Sequence, residues 1–135
     1  MARLATVTVA DRPHVVPCCF VLVDGDRGDV VYSAVDAKPK STLALKRLDN
    51  VTAHPWASLL VDRYREDWSA LWWVRLDGPA RVVADPGEAE TARSGLRAKY
   101  PQYGSVGLPG AVLAIDVTGW RSWPSDAHPT RGRAR

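Results

Sequence analysis

The sequence predicts a mainly β domain with two short helices, on three observations. Apolar residues recur with a period of two near both ends of the chain. Three apolar runs separated by turn signals fill the first third. Only two segments switch to helical spacing.

Residues 4–9 alternate as a strand does, with Ala5, Val7 and Val9 on one face and Leu4, Thr6 and Thr8 on the other. Asp11-Arg12-Pro13 makes a turn. Residues 14–23 form a longer apolar run, read as one strand, which the turn-rich residues 24–29 close. Pro17 lies within it and cannot donate a ladder hydrogen bond, which assigns it to an edge, a bulge or a ligand-facing break. Residues 30–34 supply a third strand, giving a meander of hairpin-linked antiparallel strands. Ser41, Ala44, Leu45 and Leu48 then share one face of a short helix, with Lys46 and Arg47 toward solvent, Pro39 in its first turn and Asn50 at its end. Residues 56–62 return as a buried strand before the polar break at 63–67. Residues 71–76 and 80–83 flank Asp77-Gly78-Pro79, read as a bend within one long strand rather than a reversal. A second helix starts at Asp85-Pro86-Gly87-Glu88, with Asp85 as cap, Pro86 in the first position and Glu88 returning a hydrogen bond. Ala89, Ala92, Leu96 and Tyr100 form its apolar face. After Pro101 and a glycine-rich loop, residues 111–118 and 120–123 read as closing strands, and Ser125 begins an aperiodic tail.

Composition bounds the function. A chain of 135 residues with 46% apolar and 24% charged residues is one globular domain, which excludes disorder as its ground state. The net charge of +3 invites a nucleic-acid reading, but Arg131, Arg133 and Arg135 carry it; without them 15 basic residues face 15 acidic ones. Three tail charges give only weak, salt-sensitive attraction, so no specific nucleic-acid partner is expected. No apolar run approaches the roughly 18 residues of a membrane span and no signal-peptide block opens the chain, so a cytoplasmic address and no membrane partner are expected. Cys18 and Cys19, the only cysteines, point to opposite faces of a strand and make no disulfide framework. Together with His14 they alternate faces and lack a fourth ligand, so no metal site is expected.

Two stretches can carry chemistry. Residues 32–42 pass from strand to helix with Lys38, Lys40, Ser41 and Thr42 at the helix start, where free N–H groups and the helix dipole favour an anion. Phosphate binding is one reading; a capped helix with two solvated lysines is the other. Residues 67–75 hold Trp68, Trp72 and Trp73, half of the six tryptophans in a chain with one Phe. Strand alternation places Trp73 and Arg75 on one face and Trp72 and Val74 on the other, so one indole can wall a pocket beside a guanidinium. The same residues also fit a core or interface position for both indoles and a surface ion pair for Arg75.

Residues 4–17, the segment Ser33-Ala34-Val35-Asp36-Ala37-Lys38-Pro39-Lys40, and Leu71-Trp72-Trp73-Val74-Arg75 follow in an order that resembles the split β-barrel flavin and deazaflavin oxidoreductases related to pyridoxamine phosphate oxidase, in their F420-dependent subgroup. The resemblance implies a split β-barrel over residues 1–124, with a flexible basic tail over 125–135; the family usually has a short helix before the first strand, and with Met1 almost at that strand either the chain is truncated, its start is placed late, or the helix is absent. It also implies a homodimer with two equivalent sites across the subunit interface. Lys38, Lys40, Ser41 and Thr42 then hold a phosphate, and the strand around Pro17, Cys18 and Cys19 runs beside the flavin-like ring. Trp73 and Arg75 wall the pocket or meet the acidic tail of F420. The implied reaction is hydride transfer from reduced F420 to a small unsaturated organic acceptor, with no catalytic side chain assigned. An FMN flavoprotein, or a noncatalytic flavin, F420 or haem carrier, are the other functions this pattern admits.

Overall fold

Alternating apolar residues build eight strands among the described residues of the computed structural model, which are 1–26, 28–35, 42–105 and 107–124, with only the backbone at 42–45. In chain order these are β1 (Ala2–Val7), β2 (Pro13–Cys18), β3 (Val21–Gly25), β4 (Gly28–Ala34), helix α1 (Thr42–Ala53), β5 (Trp56–Arg63), β6 (Trp72–Val82), helix α2 (Pro86–Lys99), β7 (Val112–Asp116) and β8 (Gly119–Trp123). The fold is mainly antiparallel β with two short helices, as expected. The strand path is β2-β1-β5-β6-β7-β4-β3, with β8 on the free flank of the first half of β6. Residues from β1, β2, β4, β5, β6 and β7 share one core with Val51 of α1, so the sheet curls around it. The end strands β2 and β3 do not pair with each other, which leaves the barrel split.

The run at 14–23 is therefore two strands, not one. Its break falls at Cys19-Phe20, where the Phe20 N–H donates to the Tyr100 hydroxyl (3.2 Å) instead of to a ladder. Pro17 lies in the edge strand β2, one of the settings its missing donor allows. The first helix also runs past its expected end. Asn50 is fully buried inside α1 and donates from Nδ2 to Thr6 Oγ1 (3.0 Å); a side chain spent on a tertiary partner is not free to cap. Arg47, expected in solvent, is half-buried, with Nε shielded from water.

Asp77-Gly78-Pro79 is a bend in one strand, as its sequence suggests. Before it, β6 lies between β5 and β8; beyond it, residues 80–82 pair with β7. A Cβ on Gly78 would come within 2.0 Å of the Asp116 carbonyl oxygen, so only glycine lets β6 cross against β7 here. Strand β7 is buried on both faces: Leu113 and Ile115 look into the barrel, while Val112 and Ala114 meet Tyr32 and the Ala89–Ala92 face of α2. Asp85 caps α2 as expected, accepting from Glu88 N–H (2.8 Å). Glu88 does not return the bond. Its carboxylate is taken by Arg81 (2.8 Å to each oxygen) and the Tyr32 hydroxyl (2.7 Å), and Arg81 also grips Asp116 (2.9 Å). This bidentate network fastens α2 to β4, β6 and β7.

Candidate functional site

Strand register decides which side chains leave the core. On β1 the buried face is Ala2, Leu4, Thr6, so Arg3, Ala5 and Val7 point outward. Pairing aligns Pro17 of β2, Arg3, Leu60 of β5, Arg75 of β6 and Arg121 of β8 in one transverse row. The adjacent rows are Val15, Ala5, Ser58 and Asp77, then Asp62, Trp73 and Trp123. This outer face carries apolar side chains where solvent normally selects polar ones; Val7 is 39% and Val15 62% exposed.

A groove of about 520 Å³ lies on that face. Ala5, Val15 and Leu60 give it an apolar floor, Trp72, Trp73 and Tyr64 supply aromatic walls, and Arg3 and Arg75 bring positive charge. Each guanidinium is oriented by a carboxylate: Arg3 by Asp62 (2.6 Å), Arg75 by Asp77 (3.2 Å), while Asp77 also accepts from the Ser58 hydroxyl. The arginine side chains remain 57% and 46% exposed, which leaves N–H donors facing solvent. Such a groove suits a flat aromatic ligand with anionic substituents.

The expected site residues divide into three groups. Trp73 and Arg75 stand together on the groove, and alternation does separate them from Val74; Trp72 nonetheless reaches the groove from the start of β6. Pro17 is exposed on the outer face beside Arg3, but Cys18 turns into the core, where burial pushes its thiol pKa up and leaves it a poor nucleophile. Cys19 is half-buried in the link between β2 and β3. Lys38, Lys40 and Ser41 lie outside the described residues, as does the side chain of Thr42, which opens α1.

The structure adds Arg3, Leu60, Asp62 and Tyr64 to the groove. Arg3 had a signal, since it alternates with Leu4 and shares a face with Ala5; its partner Asp62 is 59 residues away and had none. It also brings the end of α2 over the β2–β3 break. The Lys99 ammonium sits 3.4 Å from the Phe20 ring centroid, and partial desolvation holds its pKa below the usual lysine range.

Residues 1–124 match the family model for pyridoxamine 5'-phosphate oxidase. Among solved structures, a conserved hypothetical protein of Mycobacterium tuberculosis aligns with TM-score 0.70 at 19% identity, over 90% of this chain and 75% of that one. A conserved protein of unknown function from Corynebacterium diphtheriae aligns with TM-score 0.63 at 27% identity, over 90% and 81%. HutZ, the haem storage protein of Vibrio cholerae, aligns with TM-score 0.60 at 19% identity, over 89% and 83%. The likenesses at 19% identity are of fold alone. No curated protein matches the chain in sequence.

Proposed function

The chain belongs to the pyridoxamine 5'-phosphate oxidase family, and from that premise we propose that it is an F420-dependent oxidoreductase acting on a small unsaturated organic acceptor. The observation that carries this reading is the outer groove, with an apolar floor, indole walls and two oriented guanidiniums. A volume of about 520 Å³ accommodates a tricyclic ring. When bound, reduced F420 supplies the hydride. Trp72 and Trp73 pack against the ring and exclude water, and Arg3 and Arg75 orient its anionic substituents through N–H donors left over from their ion pairs. The basic junction with Lys38, Lys40, Ser41 and Thr42 serves the phosphate, and backbone groups around Pro17, Cys18 and Cys19 border the ring. The outward valines, Val7 and Val15, support a homodimer formed through this face, with the groove at the subunit interface.

FMN on the same face is the nearest alternative. Haem carriage draws on the fold shared with HutZ. The groove lining offers no His, Cys or Met among the described residues and leaves Tyr64 as its side chain able to ligate haem iron, so haem is tested beside the flavins. Adding F420, FMN and haemin separately while following tryptophan fluorescence tests the reading. Saturable quenching by F420, with faster reoxidation of reduced F420 by an enone or quinone, is expected. Tight binding of FMN or haemin without F420 binding contradicts it; F420 binding without any accelerated reoxidation makes the chain a carrier.

A further inference from the structure

Resting on the flavin-type reading of the outer groove, we propose that Ser58 is its specificity-determining residue. With Asp77 and Arg75 it selects a heterocycle whose rim carries a ring N–H beside a ring carbonyl, the imide edge that flavins and deazaflavins share.

Strand register brings the three groups together. Ser58 of β5 and Asp77 of β6 are direct cross-strand partners, and Arg75 lies two residues before Asp77 on the same outward face. Asp77 divides its carboxylate between them: Oδ1 accepts from the Ser58 hydroxyl and Oδ2 from Arg75 Nε (3.2 Å). Gly119 of β8 is the partner of Asp77 on its other flank and has no side chain to compete for that carboxylate. The backbone of Asp77 is fixed as well, because its carbonyl accepts from Thr118 N–H (2.9 Å) just before the crossing at Gly78. Asp77 is therefore a positioning residue for both neighbours.

This arrangement leaves Ser58 an acceptor. A hydroxyl has one hydrogen and two lone pairs. Ser58 commits its hydrogen to Asp77, and no described residue donates to its Oγ, so toward a ligand it can only accept. Arg75 is the opposite case. Its remaining N–H groups only donate, and its side chain is 46% exposed. Both residues line the groove.

An acceptor and a donor held by one carboxylate match a ligand edge that offers N–H and C=O side by side. A carboxylate or phosphate offers acceptors alone; it can meet Arg75, but at Ser58 lone pairs would face lone pairs, which costs affinity. Haem propionates belong to that second kind. The groove keeps its other charge apart from this edge. On β5, Ser58 lies two residues before Leu60 and Asp62 two residues after it, and Asp62 draws Arg3 to its own side (2.6 Å). Trp73 is the cross-strand partner of Asp62. The ring rim thus lies at Ser58 and Arg75, its face against Trp73, and anionic substituents reach Arg3.

Lumiflavin and 3-methyllumiflavin, rings without phosphate or tail that differ only by a methyl group in place of the N3 hydrogen, test the assignment. Each is titrated into the full chain and into Ser58→Ala, Ser58→Thr and Trp73→Ala while tryptophan fluorescence is followed. The wild-type chain should bind lumiflavin at least about fivefold tighter than its methylated form. Ser58→Ala should bring the two within about twofold by weakening lumiflavin alone, and Ser58→Thr, which keeps the hydroxyl, should restore the preference. Trp73→Ala should weaken both rings and leave their ratio unchanged, because stacking does not read the rim. Each readout is a ratio within one protein, so a lower folded fraction does not imitate it. Equal affinity of the two rings for the wild-type chain, a preference that survives Ser58→Ala, or binding of neither ring overturns the proposal. Failure of F420 to bind while the lumiflavin preference holds supports the edge assignment and contradicts the F420 reading alone.

Discussion

Glu88 shows how a single side chain can be assigned correctly to a position and wrongly to a partner. Its place three residues after Asp85 is a capping-box spacing, and the cap itself is legible because both groups lie within one turn. Its actual partners, Arg81 and Tyr32, come from β6 and β4 and are invisible to any local pattern. Arg81 holds the Glu88 carboxyl down to about 2. In the unfolded chain this carboxyl titrates near its ordinary value of 4.5 and so binds more protons than the native state as pH falls between these values. Stability from this group is complete above pH 4.5 and lost toward pH 2. Urea unfolding across that window should show Glu88→Gln less stable at neutral pH by about 2 kcal/mol, after allowing for partial exposure, with the difference shrinking in acid. A constant difference across the window contradicts the assignment. The same logic explains Asn50: a polar residue in helical register looks like a terminator until Thr6 is seen to receive it.

Elements were legible where local chemistry defines them and illegible where a distant contact does. The start of α2 and the bend in β6 stand where the sequence puts them, and β7 lies within its expected span, but β7 is buried on both faces instead of alternating, because α2 covers the side turned away from the barrel. The division of residues 14–23 into β2 and β3 depends on Tyr100, 80 residues from Phe20. The bend in β6 makes a sharp demand on Gly78, because an added Cβ collides with backbone at Asp116 rather than with a movable side chain. Gly78→Ala should cost about 3 kcal/mol or more in chemical denaturation, while Gly104→Ala, where an added Cβ meets open space, should cost under about 1 kcal/mol. Equal effects at the two glycines would remove the crossing as the reason for glycine at 78.

At the scale of the whole molecule, the split barrel and family follow from the order of the segments, and the outer face follows from register. The pairing of Trp73 with Arg75 on one face could be read from alternation. The enclosure of a groove by β1, β5 and β6 could not, because it needs Arg3 and Asp62 to meet across strands far apart in sequence. A face with outward valines predicts association. Val7→Glu, outside the groove lining, should convert a dimer to a monomer in sedimentation velocity and weaken F420 binding with it; a dimer unaffected by this charge places the interface elsewhere. The proposed function puts the deazaflavin in the outer groove. Equilibrium titration of F420 into the wild-type chain and a folded Trp73→Ala variant tests that placement. One F420 per chain is expected, at least about tenfold weaker in the variant, since a ring stacked on an indole loses roughly 1–3 kcal/mol with it. Identical affinity in the two proteins would contradict it.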